Sequence, residues 1–403
     1  MKELELEERG RRLKEQVLER LDLSRELSDE EVLDVIDEAI LESSKEQFLG
    51  LADKKQLQKT LFDTMRRLDI LQELVDDPEI TEIMINGAAH IFIERRGKLT
   101  EWSKRFSSKE KLEDIVQQIV SFSNRAVSKA HPIVDARLPD GARVNVVLDP
   151  VALDGPVITI RRFPARPITM EQLVAWGSVT QEAVDFLRES VAVGKNIFIS
   201  GGTGSGKTTF LNALSQFIPP QERVITIEDN AELQICHVPN LVRLEARMAN
   251  TEGTGEITLR DLIRTALRMR PDRIVVGEVR GSEAVDMLQA MNTGHDGSLS
   301  TGHANSAADM LSRLEMMVLM GMEIPLEAIR RQIASAIDLF VHLGRMPDGS
   351  RKVLEIVEVK GCEKGMIQME SLFRYESRDR EEAQLMRCNS QNGQAVPVHM
   401  GRR

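Results

Sequence analysis

Gly201-Gly202-Thr203-Gly204-Ser205-Gly206-Lys207-Thr208 stands between the apolar run Asn196-Ile197-Phe198-Ile199-Ser200 and a helical pattern that opens at Thr209. A strand, a glycine-rich turn and a helix in that order make a phosphate-binding loop. The glycines let consecutive backbone amides turn inward around an anion, and the following helix points its positive end at the same charge. The spacing assigns nucleotide contacts to Gly202, Thr203, Gly204, Ser205, Gly206, Lys207, Thr208 and Thr209. Lys207 is expected to reach the β- and γ-phosphates and Thr208 to ligate Mg²⁺. ATP and Mg²⁺ are therefore the expected substrate and metal.

Outward from this loop, apolar runs at 197–199, 224–227, 274–276 and 339–343 alternate with helical patterns. Such alternation predicts a doubly wound, mostly parallel α/β sheet covered on both faces. After the turn Pro347-Asp348-Gly349, the alternating run 353–359 is expected to close a hairpin with Leu339-Phe340-Val341. From about Glu376 the chain turns polar and is read as a loose tail. Upstream, Phe163-Pro164-Ala165-Arg166-Pro167 carries two prolines and no periodicity, which places an interdomain linker there. Ahead of it, strands at 83–86, 91–94, 143–147 and 157–161 accompany a helix through Leu112, Ile115, Val116, Ile119 and Val120, a mixed α+β domain. The expected boundaries are 1–60 for N-terminal helices, 61–162 for the α+β domain, 163–178 for the linker, 179–362 for the phosphate-loop domain and 363–403 for the tail.

Composition narrows the class. At 403 residues the chain exceeds what one core supports, so two or more domains are expected. It is 41% hydrophobic and 29% charged, and no apolar run approaches the ~20 residues needed to span a bilayer. The first eight residues are acidic and lack a signal-peptide core, which predicts a cytoplasmic location. Cys236, Cys362 and Cys388 form no C-x-x-C pair, so neither a zinc knuckle nor a disulfide framework is expected. A net charge of −11 argues against general nucleic-acid binding, which draws its affinity from cationic side chains releasing counterions.

Hydrolysis needs a group that activates water and others that neutralise charge in the transition state. Strand ends are where a parallel sheet delivers them. Arg273-Ile274-Val275-Val276-Gly277-Glu278 is a buried strand ending in a carboxylate, and Glu278 is the candidate base. Gly277 stands where many phosphate-loop ATPases carry a metal-binding Asp. Val224-Ile225-Thr226-Ile227-Glu228-Asp229-Asn230-Ala231-Glu232 delivers further acids. Glu228, Asp229 and Glu232 are alternatives for holding the water shell of Mg²⁺, Glu228 being the working choice, since that ion keeps several waters. His295 and His303 bracket a strand of small residues. His303 is the stronger candidate for donating a hydrogen bond to a phosphate oxygen, and His295 serves as well to shape a turn. Met316, Met317, Val318, Leu319 and Met320 are expected in the core, and Arg260, Arg264 and Arg268 on one solvated or subunit-contacting helix face.

The ordered set Gly201 to Thr208, Ile227 to Leu233, Arg268 to Arg280 and Asn292 to Ser298 resembles the Walker A, Asp, Walker B and His boxes of the type II/type IV secretion ATPase superfamily. The run Met287-Leu288-Gln289-Ala290-Met291-Asn292-Thr293-Gly294-His295-Asp296-Gly297-Ser298 is similar to the wording of its CpaF branch, the assembly motors of tight-adherence pili. The stretch Val134 to Asn145 also resembles that branch's N-terminal domain. The resemblance spans roughly residues 60 to 370. It implies a RecA-like ATPase domain, a PAS-like first domain, a homohexamer and inner-membrane platform proteins as partners; the acidic balance leaves no nucleic acid among the expected partners. It further implies arginines that reach the phosphates, Arg143 and Arg161 from the first domain and Arg243 and Arg247 from the second or its neighbour. A DNA-translocating motor, a type IV secretion ATPase and a nucleotide-gated switch are the alternatives; the missing C-x-x-C pairs disfavour type II exporters.

Overall fold

The computed structural model describes residues 2–388 except 23, 26, 96, 124–125, 163–166, 248, 250–253 and 377–383. The chain divides into two compact units, Met1–Ala165 and Arg166–Arg403.

The first unit opens with three helices, α1 (Lys2–Arg20), α2 (Asp29–Glu46) and α3 (Leu51–Arg66). Leu13, Val17, Val32, Ile36, Leu57 and Leu61 form their shared core. Ser28 and Glu31 cap α2 reciprocally, each side chain bonding the other's backbone amide. After α4 (Leu71–Asp76) come β1 (Ile80–Asn86), β2 (His90–Arg95), β3 (Lys98–Glu101), α5 (Lys109–Ser121), β4 (Ile133–Arg137), β5 (Arg143–Val147) and β6 (Val157–Arg161). The strands form one antiparallel sheet in the order β3-β2-β1-β6-β5-β4. The apolar stripe of α5, Leu112 through Val120, shares one core with this sheet. Asn86 ends β1, and Gly87 turns the chain at φ +65° where a Cβ would come within 2.6 Å of the Asp154 carbonyl oxygen.

The second unit runs α6 (Met170–Ala175), α7 (Gln181–Ala192), β7 (Ile197–Gly201), α8 (Lys207–Ser215), β8 (Val224–Glu228), β9 (Leu241–Glu245), α9 (Leu259–Ala266), β10 (Arg273–Val276), α10 (Ala284–Met291), β11 (Leu299–His303), α11 (Ala307–Gly321), α12 (Leu326–Ala336), β12 (Leu339–Arg345), β13 (Arg351–Glu363), β14 (Met366–Glu376) and β15 (Gln384–Arg387). Its nine strands lie in the order β15-β14-β13-β12-β7-β11-β10-β8-β9. The six from β12 to β9 are parallel and the outer three antiparallel. Strand side chains alternate between two cores, as a sheet covered on both faces requires. Ile197, Ile199, Val224, Val275 and Leu299 pack with α6, α7 and α8, whereas Phe198, Ile225, Ile227, Ile274 and Val276 pack with α9 to α12. This is the expected α/β architecture.

Several expectations are corrected. The hairpin of β12 and β13 forms with Phe340 opposite Val357, but the stretch read as a tail adds β14 and β15 to the sheet. Phe373 and Leu385 are buried there and supply the apolar contact that holds these strands. Residues 377–383 and 389–403 of that stretch lie outside the described residues. Within the expected linker, 163–166 also lie outside them, and 170–175 form α6, whose Met170 and Leu173 are buried. Met317 and Val318 are core residues, but Met316, Leu319 and Met320 are exposed, because α11 buries only one side. Arg260 and Arg264 do not simply face solvent: both donate through Nε to the buried carboxylate of Asp286 on α10, at 2.6 and 2.8 Å.

Candidate active site

Parallel strands all end on one rim of the sheet, and the second unit's chemistry collects there. β7 ends at Gly201, where a side chain would run into Ser205 Oγ and the Leu343 carbonyl at 2.5 and 2.6 Å. Gly204 at φ +72° and Gly206 at φ +92° then turn the backbone through conformations that L residues resist, and α8 starts at Lys207. The loop therefore has the backbone of an anion cradle. Gly202, Thr203 and Gly204 are exposed at its mouth, Ser205 is buried, and Gly206, Thr208 and Thr209 are half-buried. Lys207 is buried, its Nζ donating to the carbonyls of Gly201 and Gly202 at 3.1 Å each and lying 3.2 Å from His303 Nδ1. Burial pushes its pKa down, opposed by the charge of Glu278.

His303 ends β11, beside Gly201 in the ladder. Its Nε2 is 2.7 Å from Glu278 Oε1, a close polar contact outside the geometry of a directed hydrogen bond. Burial lowers the His303 pKa, again against the pull of Glu278. The other oxygen of Glu278 accepts from Arg280 Nη2 at 2.5 Å, and Arg280 Nη1 stands 4.0 Å from Asp229. Hydrogen bonding to Glu278 raises the Arg280 pKa. Lys207, His303, Glu278 and Arg280 thus form one continuous polar chain at the loop's mouth. A cavity of about 450 Å³ opens beside it, lined by Gly202, Thr203, His303, Asn305, Asp309 and Arg313.

Glu228, the last residue of β8, separates from its neighbours Asp229 and Glu232 by burial: it is 3% exposed and Asp229 is exposed. Its Oε2 accepts from the amides of Glu232 and Leu233 at 2.7 and 2.9 Å, while its Oε1 is buried with no hydrogen-bond partner. Burial raises its pKa to about 7 against those amide bonds. Gly277 explains the space it occupies. A Cβ at 277 would lie 2.9 Å from Glu228 Cγ, so the carboxylate of the adjacent strand fills the space that a side chain at 277 would need. The orphaned Oε1 and the Thr208 hydroxyl in the first turn of α8 suit a hard cation that keeps most of its waters, and Mg²⁺ fits this donor set.

His295 does not join the cluster; its Nδ1 lies 3.2 Å from the Ala290 carbonyl, at the turn between α10 and β11. Arg243 lies on the edge strand β9, where its charge draws the Glu228 pKa down. Arg247 follows it and donates to the Gly255 carbonyl at 2.7 Å. Arg143 and Arg161 belong to the first unit, where they face each other across β5 and β6 and Arg161 pairs with Glu82 at 3.0 Å. Two residues of the second unit's site were not singled out from sequence. Arg280 was legible only as a basic residue two places after Glu278. His342, buried in β12, lies with Nδ1 2.9 Å from Ser200 Oγ, just upstream of the loop. It reads as one more member of an apolar run, and only the register with β7 reveals its partner.

Comparison with known proteins matches residues 65–394 to the family model described as Type II/IV secretion system protein. The chain is 34% identical to the conjugal transfer protein TrbB of Rhizobium radiobacter, over 75% of this chain and 90% of that protein. It is 34% identical to the type IV secretion system protein VirB11 of Brucella suis, over 68% and 84%. The crystal structure of the Legionella pneumophila ATPase DotB shares the fold, with a TM-score of 0.51 at 23% identity over 70% of this chain and 78% of that one. With its phosphate loop, strand-end acids and rim histidine in the order set out above, the chain belongs to the Type II/IV secretion system protein family.

Proposed function

We propose that this chain binds and hydrolyses ATP and works as a ring-forming motor, a homohexamer peripheral to the cytoplasmic face of the inner membrane, where platform proteins receive its stroke. The observation that carries the reading is the contact chain from Lys207 through His303 to Glu278, which ties the phosphate cradle to a carboxylate. Lys207 and the loop amides hold the β- and γ-phosphates. Glu278 orients the attacking water and takes its proton. His303 touches both partners and so registers whether the terminal phosphate is in place. Thr208 and Glu228, the latter through water, would hold Mg²⁺, which supplies charge neutralisation along the phosphates. Arg143, Arg161, Arg243, Arg247 and Arg280 are candidates for meeting charge in the transition state, a task that guanidinium geometry suits. Relative movement of the two units on ATP binding and release is the proposed stroke.

Assembly of a tight-adherence pilus is one reading of the output, resting on the wording of 287–298. The names of the conjugal transfer and VirB11 relatives favour a second, a type IV secretion or DNA-transfer machine. Purified wild-type protein and Lys207→Ala test the common core. Turnover that depends on Lys207, in a particle of six subunits by sedimentation, is expected. ATP affinity unaltered by Lys207→Ala would overturn it. Stimulation by DNA with a steep salt dependence selects the DNA-transfer reading.

A further inference from the structure

Glu278 belongs to no strand. The ladder of β10 stops at Val276, opposite Ser300 of β11 and Ile227 of β8, and the chain then leaves the sheet at its rim. A carboxylate on such a segment would share the freedom of a loop, whereas a base that orients water has to be held in a narrow range of positions. What fixes it comes from β11. The Thr301 hydroxyl donates to the Gly277 carbonyl at 2.8 Å, and the Thr301 carbonyl accepts from the Val279 amide at 2.9 Å. One residue thus grips the main chain on both sides of Glu278.

Thr301 is itself well anchored. It is 1% exposed, in a strand laddered to β7 from Leu299 opposite Ile197 to His303 opposite Gly201. Next to it, a Cβ added to Gly302 would meet Met310 and Phe198 at 3.0 Å, so β11 has no room to shift against the strand that carries the phosphate loop. Thr301 and His303 stand two residues apart, on one face of β11. The first holds the backbone around Glu278, and the second touches its carboxylate at 2.7 Å.

We propose that Thr301 is a positioning residue for hydrolysis: it passes the placement of the phosphate loop, through β11, to the main chain flanking Glu278 and so sets how far that carboxylate reaches toward the terminal phosphate. The inference rests on the ATPase reading of the site and adds the residue that keeps its base at working distance.

Thr301→Val in the full-length protein keeps the branched outline and the strand preference but removes the hydroxyl; Thr301→Ser keeps the hydroxyl. The kcat of Thr301→Val should fall about 10- to 100-fold, the scale of a small misplacement of a reacting group. Its KM and its Kd for ATP should stay within about threefold of wild type, because the loss falls on the transition state. Thr301→Ser should keep kcat within about twofold of wild type, since the bond to Gly277 is retained. In a Glu278→Gln background, adding Thr301→Val should alter single-turnover hydrolysis less than about twofold, as expected of a residue that acts through Glu278. Wild-type kcat in Thr301→Val, an equal loss in Thr301→Ser, or the full loss carried into the Glu278→Gln background would each overturn the positioning role. So would a Thr301→Val protein whose ATP affinity falls in step with kcat, the mark of a merely structural residue. Turnover that survives Glu278→Gln intact would instead overturn the reading of Glu278 on which the inference stands.

Discussion

Replacing Gly277 with alanine adds one methyl group at the centre of the site. Gly277 does not lie at positive φ, so its backbone accepts a side chain, and by itself such a change is neutral or stabilising by about 0.4–1 kcal/mol. The new Cβ, however, would sit 2.9 Å from Glu228 Cγ and 3.5 Å from its Cβ and Oε2. Glu228 cannot retreat as a whole, because β8 is paired on both sides, to β10 and to β9. Its side chain must rotate, giving up the amides of Glu232 and Leu233. Overpacking of this kind costs about 1–3 kcal/mol. Borne by the transition state, that is about a 5- to 150-fold loss in kcat. Single-turnover hydrolysis and fluorescent-ADP binding separate the two effects: kcat should fall in that range while the Kd for nucleotide changes less than threefold. In a Glu228→Ala background the same substitution should have no further effect, since the atom it strikes is gone. A Gly277→Ala enzyme with kcat within twofold of wild type would refute the reasoning.

Glu278→Gln should bind ATP normally and lose about 10²-fold or more in turnover, as measured by phosphate release. The buried His342 has its pKa lowered below 6.5 by desolvation, so the unfolded chain binds the extra proton first. Its contribution to stability is full above pH 6.5 and is lost as pH falls through the folded-state value. The melting temperature of wild type should therefore drop more between pH 7.5 and 5.5 than that of His342→Gln; equal slopes would contradict this. Arg273 is 2% exposed and pairs with Glu222 through Nη2 at 2.9 Å. Glu222→Ala strands that charge and should lower unfolding stability by about 3–5 kcal/mol in urea titration.

The parallel half of the large sheet was legible because its strands are short apolar runs bounded by helical patterns, as in 197–199 and 274–276. The strands β14 and β15 were not, since both mix polar and apolar residues at an edge where only Phe373 and Leu385 are buried. Strand β9 escaped for the same reason, with exposed Arg243 and Glu245 along it. Within the candidate site, spacing alone singled out the loop and Glu278 as candidates. It could not separate Glu228 from Asp229 and Glu232, because that choice depends on the hole left by Gly277 two strands of sequence away. Nor could it show that Arg260 and Arg264 converge on Asp286, which requires α9 and α10 to be packed together.

Strand β7 is laddered on both edges, to β11 and to β12, along its whole length, and Asn196 just ahead of it donates its side-chain amide to Ala336 and Met291 and accepts from Ser298. The root of the cradle is thus bolted in place from three directions before any substrate arrives. Any strain arising at the loop therefore falls on the side chains and connections at the sheet's rim rather than on the strand beneath them.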